Sequence, residues 1–129
     1  RCYPGIKELL QRYPADCMAV VTNKPHALTV QLLNGLELSQ HFKVICGGDS
    51  FPEKKPHPMP VAETLTTLGA TPAEAIMIGD HHTDLYSGKG AGTASCFCAY
   101  GLGNNDGLSP DYTVRTSEEL LQIFPGPAQ

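Results

Sequence analysis

The sequence predicts an α/β fold, a Rossmann-like, doubly wound parallel sheet with helices on both faces. Short apolar runs alternate with stretches of helical spacing along the 129 residues. The first run, residues 17–21, is apolar on both faces, which is typical of a parallel strand covered on both sides. Strands that alternate with helices in this way favour right-handed crossovers within one parallel sheet.

Each element follows from local spacing and from the residues that begin and end helices. Apolar residues recur every three or four positions over residues 4–13, 25–38 and 61–68, which predicts three helices, and a further helix is predicted over residues 83–91 after the third strand. Gly69 and Gly92 follow the third and fourth helices, as glycine C-caps do. Apolar runs predict strands over residues 17–21, 43–46, 75–78, 95–99 and 112–114. Ser117 is predicted to cap a fifth, terminal helix.

Composition and charge argue against several classes of protein. The chain, 1–129, has the length of one ordinary domain, with 41% hydrophobic and 17% charged residues. A net charge of −4 argues against nucleic acid as a partner, because such binding requires a basic face. No apolar run approaches the ~20 residues that span a bilayer, so we expect no membrane partner. The five cysteines include no C-x-x-C pair, which favours reduced thiols in a cytoplasmic protein.

Two carboxylates follow the third predicted strand. In open parallel sheets the ligand lies beyond the carboxyl ends of the strands. Asp80 and Asp84 stand four residues apart there, across a strand-to-helix turn. Two carboxylates at such a turn can bind Mg²⁺, which uses one or two protein carboxylates and keeps several waters. The alternative is that both acids only cap and charge a helix N-terminus.

Three further residues at the same edge suit an anion. Thr22 and Asn23 add a hydroxyl and an amide to the backbone N–H groups that open a helix, although an isolated Thr-Asn is more often an ordinary N-cap. Lys55 lies in a loop that Pro56 and Pro58 stiffen, which limits where its ammonium can go. Most loop lysines are merely solvated, but a lysine held at the ligand edge is well placed to neutralise phosphate.

Two adjacent histidines, His81 and His82, raise the question of a transition-metal site. Neighbours on a turn are expected to point apart, and no cysteine or third histidine is near in sequence, which argues against one. We expect His81 to line the mouth of the site instead.

Together these segments resemble three of the four motifs of the haloacid dehalogenase superfamily. Residues 20–25, Val-Val-Thr-Asn-Lys-Pro, resemble the second motif, which implies phosphate binding by Thr22 and Asn23. Residues 54–58, Lys-Lys-Pro-His-Pro, resemble the third, whose lysine precedes a proline; this implies Lys55, not Lys54. Residues 79–84, Gly-Asp-His-His-Thr-Asp, resemble the fourth, which implies Asp80 as a Mg²⁺ ligand and Asp84 in support.

The motif spacing and the opening Tyr-Pro-Gly at residues 3–5 look most like phosphoglycolate phosphatases. The resemblance covers residues 3–124. It implies a Mg²⁺-dependent hydrolase that acts on a small phosphorylated metabolite through an aspartyl-phosphate, with Thr22, Lys55 and Asp80 as catalytic residues. The fourth motif departs from the family at His81, where serine is usual.

The family's first motif, Asp-x-Asp-Gly-Thr, is absent from the 129 residues. It supplies the nucleophile and the general acid/base, so the resemblance implies the C-terminal part of a phosphatase core. The first strand, which would lie mid-sheet, and the cap domain would be missing, and an N-terminal segment is expected to complete the core. We expect the chain alone to be inactive and to fold poorly. The alternatives are a phosphosugar mutase, a pyrophosphatase, a dehalogenase, or a catalytically inactive phosphate- or metal-binding fragment.

Overall fold

The structure is a computed structural model that describes residues 3–101 and 103–126. Helices and strands alternate along the described chain. The helices are α1 (Ile6–Gln11), α2 (His26–Gly35), α3 (Met59–Leu68), α4 (His82–Ala91) and α5 (Leu120–Ile123). The strands are β1 (Ala19–Val21), β2 (Val44–Cys46), β3 (Ile76–Gly79), β4 (Ala94–Cys98) and β5 (Tyr112–Val114). None of the helices in the described ranges combines the length and the hydropathy needed to cross a bilayer.

The described strands pair in parallel, as the sequence predicts. β1 pairs with β2, with Ala19 opposite Val44. β4 lies between β3 and β5, with Ile76 opposite Ala94 at one edge of β4. Parallel neighbours joined through a helix, as in β1–α2–β2 and β3–α4–β4, are the arrangement of a Rossmann-like fold, so the predicted fold class is confirmed.

Helices cover both faces of the sheet formed by β3, β4 and β5. Cys96 and Cys98 lie on one face of β4, buried against Leu9 of α1 and Leu120 of α5. Ser95 lies on the other face, on the side of α4. This alternation follows from the two-residue period of a strand, and it puts the core on both sides of β4.

The thiols of the described chain are free. Cys46, Cys96 and Cys98 are buried, and Cys17 is exposed. A hydrogen bond with Cys98 and burial together raise the pKa of Cys96 above its usual range, so that thiol stays protonated. Burial raises the pKa of Cys46 in the same way. The cytoplasmic location that the thiols favour stays a prediction.

The sheet is divided between β1 and β3. These strands belong to separate sheets and form no ladder with each other. A cavity of about 780 Å³ lies between them, lined by Val20 and Val21 on one side and by Met77 and Ile78 on the other. The division falls where the resemblance implies the absent first strand.

Two local predictions are wrong. The first strand is half-buried rather than buried on both sides, because one of its edges faces the cavity. Thr116, not Ser117, caps the turn before α5, because the Thr116 hydroxyl accepts a hydrogen bond from the Glu119 N–H at 3.3 Å. The Ser117 hydroxyl instead donates to the Pro4 carbonyl at 2.6 Å, which ties the start of α1 to the far end of the chain.

The ends of the helices follow the predicted caps where glycine is present. Gly69 and Gly92 end α3 and α4 in the left-handed region, with φ of 70° and 91°. Glycine adopts this conformation without the Cβ penalty of other residues. Helices α1 and α2 end at Gln11 and Gly35, two and three residues earlier than the apolar spacing alone predicts.

Candidate active site at the carboxyl ends of β1 and β3

Lys55 joins the two parts of the sheet at the ends of their strands. Its ammonium donates a hydrogen bond to the carbonyl of Val21, the last residue of β1, at 2.8 Å. The same ammonium forms an ion pair with the carboxylate of Asp84 in α4. Only 9% of the Lys55 side chain and 10% of the Asp84 side chain are exposed. Lys54 is exposed, so the structure puts Lys55 and not Lys54 at the ligand edge.

Asn23 fixes the main chain of Lys55. The Asn23 Nδ2 donates to the Lys55 carbonyl at 2.8 Å, and its Oδ1 accepts from the Lys55 N–H at 3.0 Å. We call this pair of hydrogen bonds the Asn23–Lys55 bridge. The peptide bond between Lys55 and Pro56 is cis. The sequence pointed to both residues but did not show that they bind each other.

Thr22 follows β1 directly and continues its ladder. The Thr22 N–H donates to the Cys46 carbonyl at 3.0 Å. The Thr22 hydroxyl accepts a hydrogen bond from the Lys24 N–H at 3.2 Å. Such a local hydrogen bond to the backbone is the structural alternative to an anion-binding role for this hydroxyl. A hydroxyl has one donor besides its acceptor sites, and in the described ranges the hydrogen of this one has no acceptor. Thr22 can therefore still donate to an anion.

The two aspartates have different surroundings. Asp84 is buried, with 7% of the whole residue exposed. Besides its ion pair, its carboxylate accepts a hydrogen bond from the His81 N–H at 3.3 Å. It therefore helps to cap α4, which was one of the two readings open from the sequence. Asp80 is half-buried, and its carboxylate has no hydrogen-bond or ion-pair partner within residues 3–101 and 103–126. The Asp80 carboxylate is therefore available to an ion, and the supporting role of Asp84 at a metal stays a prediction.

Backbone packs closely around both carboxylates. A Cβ on Gly79 would lie 2.1 Å from the Asp84 Oδ2, and a Cβ on Gly101 would lie 2.3 Å from the Asp80 Cβ. Real Cβ atoms do not approach so closely, so both positions require glycine. Gly101 belongs to a loop that the sequence analysis did not assign a role; its neighbour Leu102 lies outside the described residues.

These donors fit a magnesium ion with an incomplete protein shell. Mg²⁺ takes one or two carboxylates and keeps water or phosphate oxygens at its other positions. Asp80 offers one carboxylate without a protein partner, and Asp84 is already held by Lys55. Across the described part of the chain, no group of three or more His, Cys, Asp or Glu side chains is placed to hold a metal. An ion held by Asp80 would need further oxygens from a ligand or from residues beyond these.

The two histidines at this turn do not point apart as expected. The rings of His81 and His82 lie 4.0 Å apart between centroids, so that part of the sequence argument is wrong. The His81 Nδ1 accepts a hydrogen bond from the Thr83 N–H at 3.3 Å and thereby caps α4. An accepting Nδ1 leaves the ring hydrogen on Nε2. His81 therefore has a structural task at the start of α4.

Asp49, which follows β2, caps the neighbouring helix. Its Oδ1 accepts a hydrogen bond from the His26 N–H at 2.8 Å. This bond is the main reason why the pKa of Asp49 lies below its usual range. A Cβ on Gly47 would lie 2.4 Å from the His26 nitrogen, so the loop after β2 runs directly against the start of α2. Two adjacent glycines after an apolar run were the only sequence signal for this close approach.

The comparisons with known proteins show the family of this chain. The chain matches the family model of haloacid dehalogenase-like hydrolases over residues 1–98. It belongs to that family. It is 40% identical over 124 residues to the phosphoglycolate phosphatase of Aquifex aeolicus, and the match covers 95% of this chain. Its fold superposes on the crystal structure of a predicted phosphoglycolate phosphatase from Haemophilus somnus 129PT with a TM-score of 0.85, at 32% identity over 95% of this chain.

A further likeness shows the fold alone. A putative beta-phosphoglucomutase from Thermotoga maritima superposes with a TM-score of 0.81 at 24% identity, covering 93% of this chain and 58% of the mutase chain. The chain of 129 residues spans 58% of the Aquifex protein and 57% of the Haemophilus structure. The family of this chain is thus shown, while the activity of a whole protein containing it is a matter for proposal.

Proposed function

We propose that this chain is the C-terminal part of the core of a Mg²⁺-dependent phosphatase that hydrolyses a small phosphorylated metabolite such as phosphoglycolate. The observation that carries the proposal is the Lys55 ammonium, held between the Val21 carbonyl and Asp84 at the strand ends. A positive charge fixed there stabilises the negative charge of a transferring phosphoryl group. The names of relatives, phosphoglycolate phosphatases among them, support the substrate class.

In this proposal the residues of the chain bind and orient the phosphate. The Thr22 hydroxyl and the backbone N–H of Asn23 donate to phosphoryl oxygens, and Lys55 neutralises their charge. Asp80 holds Mg²⁺, which when bound supplies charge stabilisation to the same oxygens. Asp84 keeps Lys55 in place and closes the first turn of α4. Such catalysis depends on positioning and electrostatics, which a rigid strand edge provides.

We propose that the nucleophile lies at the end of an additional strand, which occupies the space between β1 and β3. The cavity there is flanked by the half-buried strands Ala19–Val21 and Ile76–Gly79. One apolar side chain on its rim, Ile78, is 38% exposed. A parallel strand in this place would pair with both neighbours at the usual spacing of about 4.8 Å and cover these residues. An Asp-x-Asp-Gly-Thr segment at the end of that strand would face Lys55 and Asp80.

The test is an assay on two forms of the protein. One is the chain as printed, and the other, called the extended protein, carries an additional N-terminal segment with an Asp-x-Asp-Gly-Thr strand and a cap. Hydrolysis of p-nitrophenyl phosphate and of 2-phosphoglycolate is measured with Mg²⁺ and with the metal removed by a chelator. We expect the extended protein to turn over substrate only when Mg²⁺ is present. The printed chain should show background rates under both conditions. Replacing the first Asp of the added motif by Asn is the control, because it removes only the nucleophile.

Each contrary result has a definite meaning. Turnover by the printed chain at the rate of the extended protein would refute the covalent mechanism. An inactive extended protein that still binds Mg²⁺ and phosphate would favour the alternative of a phosphate- or metal-binding fragment. Activity on phosphosugars with transfer of the phosphate, rather than its release, would point to the mutase alternative.

A further inference from the structure

We infer that Asn23 is a positioning residue whose side chain sets the place of the Lys55 ammonium through the Asn23–Lys55 bridge. The inference rests on the proposed function, because it concerns the lysine that faces the phosphate there. It assigns the Asn23 carboxamide a different task from that of a phosphate ligand.

The bridge holds the main chain of Lys55 at two points. One carboxamide donates to the Lys55 carbonyl at 2.8 Å and accepts from the Lys55 N–H at 3.0 Å. The two residues lie 32 positions apart in the chain, so the bridge is a tertiary contact and not a local turn. Bonding both the N–H and the C=O of one residue fixes its position and its rotation, as one rung of a β-ladder does.

Asn23 is itself fixed by the loop after β2. The Gly48 N–H donates to the Lys24 carbonyl at 2.7 Å. A Cβ on Gly48 would lie 2.1 Å from the Asn23 carbonyl oxygen, so the two backbones are in direct contact. Since Thr22 continues the β1–β2 ladder, the bridge connects the loop between β2 and α3 to the end of a paired strand.

The lysine side chain returns to that same strand. Its ammonium donates to the Val21 carbonyl at 2.8 Å, two residues before Asn23. The main chain and the ammonium of Lys55 are therefore both hydrogen-bonded to residues at the end of β1, the main chain to Asn23 and the ammonium to Val21. Lysine is a flexible side chain whose rotamers are costly to order, and fixing its main chain removes part of that freedom before a ligand binds.

A direct bond from Asn23 to phosphate is the competing assignment. Its Nδ2 carries two hydrogens, and the bridge uses one of them. The two assignments differ in a measurable way. A positioning residue acts only through Lys55, whereas a direct ligand acts whether or not the lysine is present.

The first experiment measures the bridge without any ligand. Amide hydrogen exchange and the ammonium resonance of Lys55 are recorded by NMR for the extended protein. Asn23→Ala should accelerate exchange of the Lys55 N–H about fivefold, the factor equivalent to about 1 kcal/mol at 1.4 kcal/mol per decade. It should also shift the Lys55 ammonium resonance. The matched control, Asn34→Ala, removes another exposed asparagine whose side chain binds Ser39, and should change neither signal. Equal Lys55 exchange in the wild type and in Asn23→Ala would overturn the inference.

The second experiment is a double-mutant cycle on the affinity for inorganic phosphate with Mg²⁺ in the extended protein. If Asn23 positions Lys55, Asn23→Ala weakens binding about fivefold in the wild type and by less than about twofold in the Lys55→Met background. Equal losses in both backgrounds would make Asn23 a direct ligand and overturn the inference. Failure of the wild type to bind phosphate would refute the proposed function, while the exchange result still decides whether the bridge exists.

Discussion

Removing the ammonium of Lys55 is the perturbation with the largest expected cost to stability at this site. In Lys55→Met the side chain keeps nearly the same length but can no longer pair with Asp84. The Asp84 carboxylate then retains one backbone hydrogen bond, from the His81 N–H at 3.3 Å, which is long for a charge-assisted bond. A buried carboxylate is left without a counter-charge.

The burial of the pair sets the magnitude. Exposed ion pairs are worth about 0–1 kcal/mol, whereas breaking a buried pair from one side costs about 3–5 kcal/mol. With 9% and 10% of the two side chains exposed, this pair lies near the buried limit. We therefore expect Lys55→Met to lower the free energy of unfolding by about 3 kcal/mol. Lys55→Met with Asp84→Asn should cost less than the sum of the single changes, because no charge is then left unpaired.

The assay is urea denaturation of the extended protein, followed by circular dichroism, for both single variants and the double variant. Lys54→Met is the matched control, since Lys54 is the adjacent, exposed lysine, and it should change stability by less than about 0.5 kcal/mol. A loss below about 1 kcal/mol for Lys55→Met, or strict additivity in the double variant, would refute the claim that this is a buried, coupled pair.

Four other predictions concern the same strand ends. Asp80→Asn should weaken Mg²⁺ binding by about tenfold or more, measured by calorimetry, because it removes the only free carboxylate of the described site. Lys55→Ala should lower turnover of the extended protein by about 10²–10³-fold while Lys54→Ala leaves it unchanged; the reverse result would mean that the motif register is wrong. Gly101→Ala should lower turnover about a hundredfold in steady-state kinetics, because its Cβ would displace Asp80. The hydrogen bond that lowers the pKa of Asp49 stabilises the fold above the ordinary pKa of aspartate and is lost as the pH falls through the lowered value. Asp49→Asn should therefore flatten the acid limb of thermal stability below about pH 4, the ordinary pKa of aspartate.

The alternation of short apolar runs with helical segments was enough to predict the fold class, because parallel strands buried in a sheet read as continuous apolar runs. The apolar run at residues 95–99 predicts a buried strand, which the structure places at Ala94–Cys98. The alternation of its side chains between the α1/α5 side and the α4 side follows from the two-residue period of a strand. Burial of β1 could not be predicted from its own residues. It depends on what occupies the neighbouring position in the sheet, and that information is not local.

The location of the site could be predicted from the sequence, but the contacts between its residues could not. The rule that ligands lie beyond the carboxyl ends of parallel strands pointed to Thr22, Lys55 and Asp80. Spacing along the chain contains no signal that Asn23 binds the main chain of Lys55, because the two residues are brought together only by the fold. The Thr116 cap was missed because Thr116 and Ser117 are both good cap residues, and the choice depends on the Pro4 carbonyl, which is distant in sequence.

The most direct measurement is a crystal structure of the extended protein with Mg²⁺ and tungstate, a heavy analogue of phosphate that anomalous scattering locates without ambiguity. The account predicts tungstate oxygens within about 3 Å of the Thr22 hydroxyl and the Lys55 ammonium, with the metal on Asp80. It also predicts an added strand hydrogen-bonded to both β1 and β3. Tungstate bound elsewhere, or β1 and β3 paired directly with each other, would contradict it.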